Sequence, residues 1–164
     1  VNLVTQTITT KEEGGNCFAA CLASIFELPL DEVPNAALIW RLDDEDAGAR
    51  GHKLIDDWLA EVGLAKAGLD VGDCHDWRPE GNWIGSYDSP RLPGETHAVV
   101  CRGYDGVAWD PHPNAAADPV GESTLRFVYW LYVLDPALFA RGRELRAREP
   151  EAVSPSRRAE SSDA

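Results

Sequence analysis

Cys17 directly follows Gly14, Gly15 and Asn16 and opens the run Cys-Phe-Ala-Ala-Cys-Leu-Ala-Ser-Ile-Phe. A cysteine at the first residue of a helix faces backbone N–H groups that lack an intrahelical acceptor, together with the positive end of the helix dipole. Both favour thiolate over thiol. Nucleophilic catalysis from such a thiolate needs a nearby base and a third group to orient that base. The segment Thr-His-Ala-Val-Val-Cys-Arg-Gly-Tyr-Asp-Gly-Val-Ala-Trp-Asp-Pro-His-Pro offers both, with His97 opening a strand and Asp110 closing the strand that returns.

Whether Asp110 reaches His97 depends on the turn between them. If Arg102 pairs with Val107, Asp110 lies opposite Val99 and diagonal to His97, about 7–8 Å away between backbones and within reach of an imidazole–carboxylate hydrogen bond. A tighter turn centred on Asp105-Gly106 sets Asp110 opposite Cys101, roughly 13 Å along the strand from His97. The catalytic reading needs the looser turn.

The elements that would position these residues can be read along the chain. A mostly apolar helix begins at Asn16 or Cys17 and runs to Glu27, ended by Leu28-Pro29. A second helix spans Gly51 to Val62, with Leu54, Ile55, Trp58, Leu59 and Val62 on one face and Gly63 as its stop. Residues 66–82 are rich in Gly, Asp and Pro and read as loop, while 82–87, 97–102, 107–110 and 125–134 are β-prone. Helices followed by an antiparallel sheet give an α+β fold, its buried N-terminal helix packed on the sheet. Residues 1–140 are expected to form one domain, and 141–164 a helical extension and a disordered tail.

Composition narrows the partners. Fifteen Lys and Arg against 28 Asp and Glu leave a net charge of −13, which argues against nucleic acid. No apolar run approaches the roughly 20 residues of a membrane span, and the N-terminus lacks the pattern of a secretory signal, so no membrane partner and a cytoplasmic location are expected. The run Asp43-Asp44-Glu45-Asp46 reads as a solvated loop. Four cysteines in 164 residues are too scattered for a disulfide framework and are expected to be reduced.

Gly-Asn-Cys opening an Ala-rich helix, His-Ala-Val-Val on a strand and Asp-Pro thirteen residues later resemble papain-like cysteine peptidases. The nearest likeness is to the bacteriocin-processing, double-glycine leader peptidases and their small bacterial and phage relatives. It covers residues 15–28 and 97–113. The resemblance implies a papain-like core, Cys17 as nucleophile, His97 as general base and acid, Asp110 as the group that holds the imidazole, and a peptide or protein substrate with no cofactor or metal. In that family a Gln stands about half a dozen residues before the cysteine and helps form the oxyanion hole. Here Lys11 occupies that distance, which leaves Gln6, eleven residues upstream, and the Asn16 side chain as oxyanion candidates.

Other residues carry competing readings. His112 is a candidate rim of the substrate site or an ordinary loop histidine. Trp83 is a candidate groove wall alongside Trp77 and Trp109, with core packing as the alternative. Cys21 and Cys101 read as core, Cys74 beside His75 as an exposed loop thiol, and His52 as ordinary surface. Two further functions stay open: a zinc site from the pairs Cys17/Cys21 and His97/Cys101, and a papain-like module that binds peptides without cutting them.

Overall fold

The computed structural model describes residues 2–10, 12–71, 78–120 and 125–148. Helix α1 (Cys17–Phe26) is followed by a 3-10 turn at Leu30–Glu32, the short helix α2 (Ala37–Trp40) and helix α3 (Ala47–Glu61). Strands β1 (Leu64–Asp70), β2 (Asn82–Asp88), β3 (Thr96–Arg102), β4 (Val107–Trp109) and β5 (Leu125–Val133) come next, and helix α4 (Pro136–Arg148) closes the described chain. The strands form one antiparallel sheet in the order β1-β5-β2-β3-β4. This is the expected α+β arrangement, with the N-terminal helix against the sheet.

The sheet has a core on each side. Phe18, Cys21, Leu22 and Phe26 of α1, with Ile55 and Leu59 of α3, pack on Leu64, Ile84, Ala98 and Val100. Ala19, Ala20 and Ala23 are buried on α1, and their small side chains let the helix backbone come close to its neighbours. Full burial of Leu22 alone contributes about 2 kcal/mol. Strand alternation sends Trp83, Tyr87, Val99 and Cys101 into a second cluster with Leu125 and Val128. Cys21 and Cys101 are both buried, and neither forms a disulfide among the described residues, as expected of core thiols.

Three local expectations need correction. Helix α3 begins at Ala47 rather than Gly51, so the acidic run ends in a helix start, and Asp44 binds Arg50 with contacts of 3.0 and 2.7 Å. The stretch expected as loop from residue 66 contains most of β1, which pairs with β5 along its whole length. Its weak β composition is offset by that pairing, and Gly68 is needed there because a Cβ would lie 2.8 Å from the Tyr129 ring. The third is Gly51, read as the start of a helix but buried inside α3 against Trp40. A Cβ on Gly51 would approach Trp40 Nε1 to 2.2 Å. Gly51→Ala should therefore destabilise the fold by about 1–3 kcal/mol in urea unfolding, despite the better helix propensity of alanine.

The hairpin from β3 to β4 departs from both turns considered. Arg102 accepts from Asp105 N–H at 3.0 Å, and Cys101, not Arg102, pairs with Val107. An irregularity at Ala108 then shifts the register so that Val100 faces Trp109. Continued by one residue, that register sets Asp110 against Val99, as the looser turn would have done.

Candidate active site

Four segments meet where α1 begins. The N-terminal stretch crosses α1 and the end of β4: Val4 N–H donates to Ser24 Oγ at 2.9 Å, Trp109 Nε1 to the Val4 carbonyl at 3.4 Å, and Gln6 N–H to the Pro111 carbonyl at 2.9 Å. Cys17 stands at the first residue of α1, and Ala98 N–H of β3 points at its Sγ across 3.4 Å. The Cys17 thiol and the His97 imidazole are near enough for each to shift the other's pKa. His97 Nε2 donates to Asp110 Oδ1 at 2.6 Å, which leaves Nδ1 as the ring's other polar atom.

Asp110 is held from three directions. Besides His97, Oδ1 accepts the His112 backbone N–H at 2.8 Å, and Oδ2 accepts Arg91 Nη2 at 3.0 Å. The same Nη2 also donates to the Asp118 carbonyl at 2.7 Å. The two side chains of this ion pair are 12% and 9% exposed, and Arg91 Nε and Nη1 are buried without a partner among the described residues.

The charges follow from these contacts. Burial works against the Cys17 thiolate, but the hydrogen bond and charge of His97, with N–H groups of Ala98 and Phe18, outweigh it and bring the thiol below its ordinary value. Burial likewise works against a charged His97, yet Asp110 and the Cys17 sulfur raise the imidazole to about 9. Burial would raise Asp110; His97, the His112 N–H and Arg91 instead hold it down at about 2. The two shifts reinforce each other: a charged His97 favours the Cys17 thiolate, and the thiolate favours a charged His97. Cys21, one turn along α1, is pushed the other way by burial and then by the charge on Cys17.

Cys17 and His97 open onto a cavity of about 830 Å³, also lined by Gln6, His112, Arg91 and Tyr129. That size is ordinary for an organic ligand, given the usual range of about 300–1,000 Å³. His112 lies on this cavity, its ring centroid 6.1 Å from that of His97, where a rim residue was expected. Gln6 reaches the cavity as well, although its Nε2 donates to the Ile8 carbonyl at 3.2 Å and its buried Oε1 has no partner among the described residues.

Two expected site residues serve elsewhere. Trp83 is 1% exposed in the second core cluster, its Nε1 donating to the Gly103 carbonyl at 3.1 Å, because alternation along β2 turns it away from the cavity. Asn16 is buried and does not line the cavity, and its side chain turns to the N-terminal stretch. Its Oδ1 accepts Thr7 N–H and Ile8 N–H at 3.1 and 2.9 Å, and its Nδ2 donates to Thr7 Oγ1. Asn16→Ala should thus cost about 1–2 kcal/mol of stability, read by urea unfolding, because the Thr7 and Ile8 N–H groups lose their acceptor at a half-buried site.

His52, expected at the surface, is half-buried on the cavity wall beside Lys66 and Trp40. Arg91 and Lys66 were not singled out, since an isolated cation between turn residues or in a weak strand carries no sequence signal of burial. Cys74, His75 and Trp77 lie outside the described residues. Among the described residues no group of three or more His, Cys, Asp and Glu is placed to hold a metal ion, and no helix is long and apolar enough to cross a membrane. The chain matches no family model, no curated protein and no solved structure.

Proposed function

We propose that the chain is a papain-like thiol hydrolase acting on a peptide or related amide. The observation that supports this reading best is the 2.6 Å pair of His97 and Asp110 beside Cys17, with Cys17 and His97 both lining an open cavity. The order of elements supports it too: a helix starting at the cysteine, then an antiparallel sheet bearing the histidine and the aspartate.

In the reaction the Cys17 sulfur attacks the carbonyl carbon and an S–C bond forms while the π pair moves to oxygen. Collapse of the tetrahedral adduct breaks the C–N bond, and the leaving nitrogen takes the proton from His97. Water, giving a proton back to His97, then attacks the thioester and releases the acid, restoring thiolate and imidazolium. The Cys17 backbone N–H, at the start of α1 where no intrahelical acceptor exists, is the first candidate donor to the oxyanion.

A peptide-binding module of the same architecture is favoured by one observation: the Gln6 and Asn16 amides each bond within the N-terminal stretch, Gln6 Nε2 to the Ile8 carbonyl and Asn16 Nδ2 to Thr7 Oγ1. A mixed peptide library incubated in ¹⁸O-water separates the two. The hydrolase yields cleaved peptides carrying ¹⁸O in their new carboxylates, and Cys17→Ala yields none. Peptides retained uncut by both proteins would establish the module.

A further inference from the structure

Beyond Phe18 the cavity has a second polar centre that the proposed acyl transfer does not use. The Phe18 ring meets Tyr129 and Trp40 edge-on, with centroids 5.2 and 5.6 Å away, and His52 lies 5.4 Å from Trp40 and 6.0 Å from Tyr129. Lys66 sits over the Tyr129 ring at 5.9 Å. Phe18, Trp40, His52, Lys66, Asp56 and Tyr129 all line the cavity.

Lysine on a strand near a sheet edge ordinarily extends its ammonium into water. Here the Lys66 side chain is 6% exposed while its counterion Asp56, 3.0 Å away, is 51% exposed. The cation is enclosed and the anion largely solvated. His52 Nδ1 lies 3.5 Å from Lys66 Nζ, and burial, together with the Lys66 charge, lowers the His52 pKa, so the ring is a neutral acceptor. An ammonium carries three N–H donors, and Asp56 and His52 account for two. Among the described residues none accepts the third.

We infer that this end of the cavity is a carboxylate subsite, in which Lys66 receives the carboxylate of a ligand whose apolar part lies on Trp40 and Tyr129. Gly68 keeps the Tyr129 ring in place, since the two residues are paired across β1 and β5 and a Cβ would collide with the ring. The chain's net charge of −13 does not forbid an anion here. Exposed charges are screened beyond about 8 Å at physiological salt, whereas an enclosed ammonium acts at contact. The inference deepens the hydrolase reading by naming a group its substrate carries, and it rests on that reading only for calling the ligand a substrate.

The test uses the full chain as Cys17→Ser, which removes the nucleophile, with N-benzoylglycine and its amide as probes and the His52 ring resonances as readout. The acid should bind about tenfold more tightly than the amide, as expected for a charge-assisted hydrogen bond to an enclosed cation. It should also raise the His52 pKa by offsetting the Lys66 charge, while the amide leaves it unchanged. Lys66→Met should abolish the preference. Asp56→Asn, which removes the competing anion, should tighten the acid alone, a gain that a misfolded variant cannot give. N-benzoylglutamate α-amide ranks a side-chain carboxylate against the chain-terminal one, and tighter binding of either supports the subsite. Equal affinity for acid and amide, no binding of either, or a preference that survives Lys66→Met would overturn it. Because no thiol chemistry enters the assay, a negative result leaves the hydrolase reading standing.

Discussion

At pH 6, iodoacetamide should alkylate Cys17 in the folded protein on the order of ten to a hundred times faster than N-acetylcysteine, while Cys21 and Cys101 stay unmodified. An ordinary thiol with a pKa near 8.5 is only about 0.3% thiolate at that pH, and a lowered pKa raises that fraction at some loss of intrinsic nucleophilicity. Cys21 and Cys101 are fully buried, and burial raises the Cys21 thiol well above its ordinary value. His97→Ala takes away the group that does most to hold the thiolate, so alkylation of Cys17 at pH 6 should fall to the rate of an ordinary thiol or below it. Hydrolysis should decline as pH rises through about 9, where His97 loses the proton needed by the leaving group. Peptide mapping after brief labelling reads the first result. Equal labelling of Cys17 in the wild type and in His97→Ala would contradict it.

Removing Asp110 should be the most damaging single change to the fold at this site. Asp110→Ala strips Arg91 of its carboxylate when two of the guanidinium nitrogens are already buried without partners. Breaking a buried pair from one side costs about 3–5 kcal/mol, and urea unfolding should show a loss of that size. Arg91→Met alone removes the cation with its desolvation cost, so the double variant Arg91→Met, Asp110→Ala should recover much of the loss. Simple additivity would mean that the two residues do not interact. The pH dependence has two limbs. The His97 pKa is raised from 6.5 to about 9, so its stabilising contribution is complete below 6.5 and disappears as pH rises through about 9. The Asp110 pKa is lowered from 3.8 to about 2, so its contribution is complete above 3.8 and is lost as pH falls through about 2. Asp110→Ala should lower both limbs.

These two effects were unequally legible in the sequence. Helix α1 was readable because its apolar run is long and its ends are marked by Gly-Gly-Asn and Leu-Pro, and Cys17, His97 and Asp110 stood out by chemical type. The parity of β3 and β4 brought Asp110 to the correct side although the turn was wrong, since the bulge at Ala108 restored the register. Strand β1 was missed because its Ala- and Gly-rich composition has no β preference of its own, and its conformation comes from pairing with β5. Asn16 was assigned by its neighbour Cys17, but contacts to Thr7 and Ile8 decide where its amide points. Arg91 and Lys66 illustrate the wider limit. Their partners Asp110 and Asp56 are 19 and 10 residues away, and burial of a long cation is a property of the assembled cavity.

As the proposed hydrolase, the chain would carry an acyl group on Cys17 during turnover, and p-nitrophenyl acetate tests this without knowledge of the natural substrate. Stopped-flow mixing should release a burst of one p-nitrophenolate per chain, and intact-mass analysis at the end of the burst should find one acetyl group, located on Cys17 and lost again as water hydrolyses the thioester. His97→Ala should suppress the burst and Cys17→Ala should abolish it. An acetyl group on another residue, or an undiminished burst in Cys17→Ala, would contradict the account.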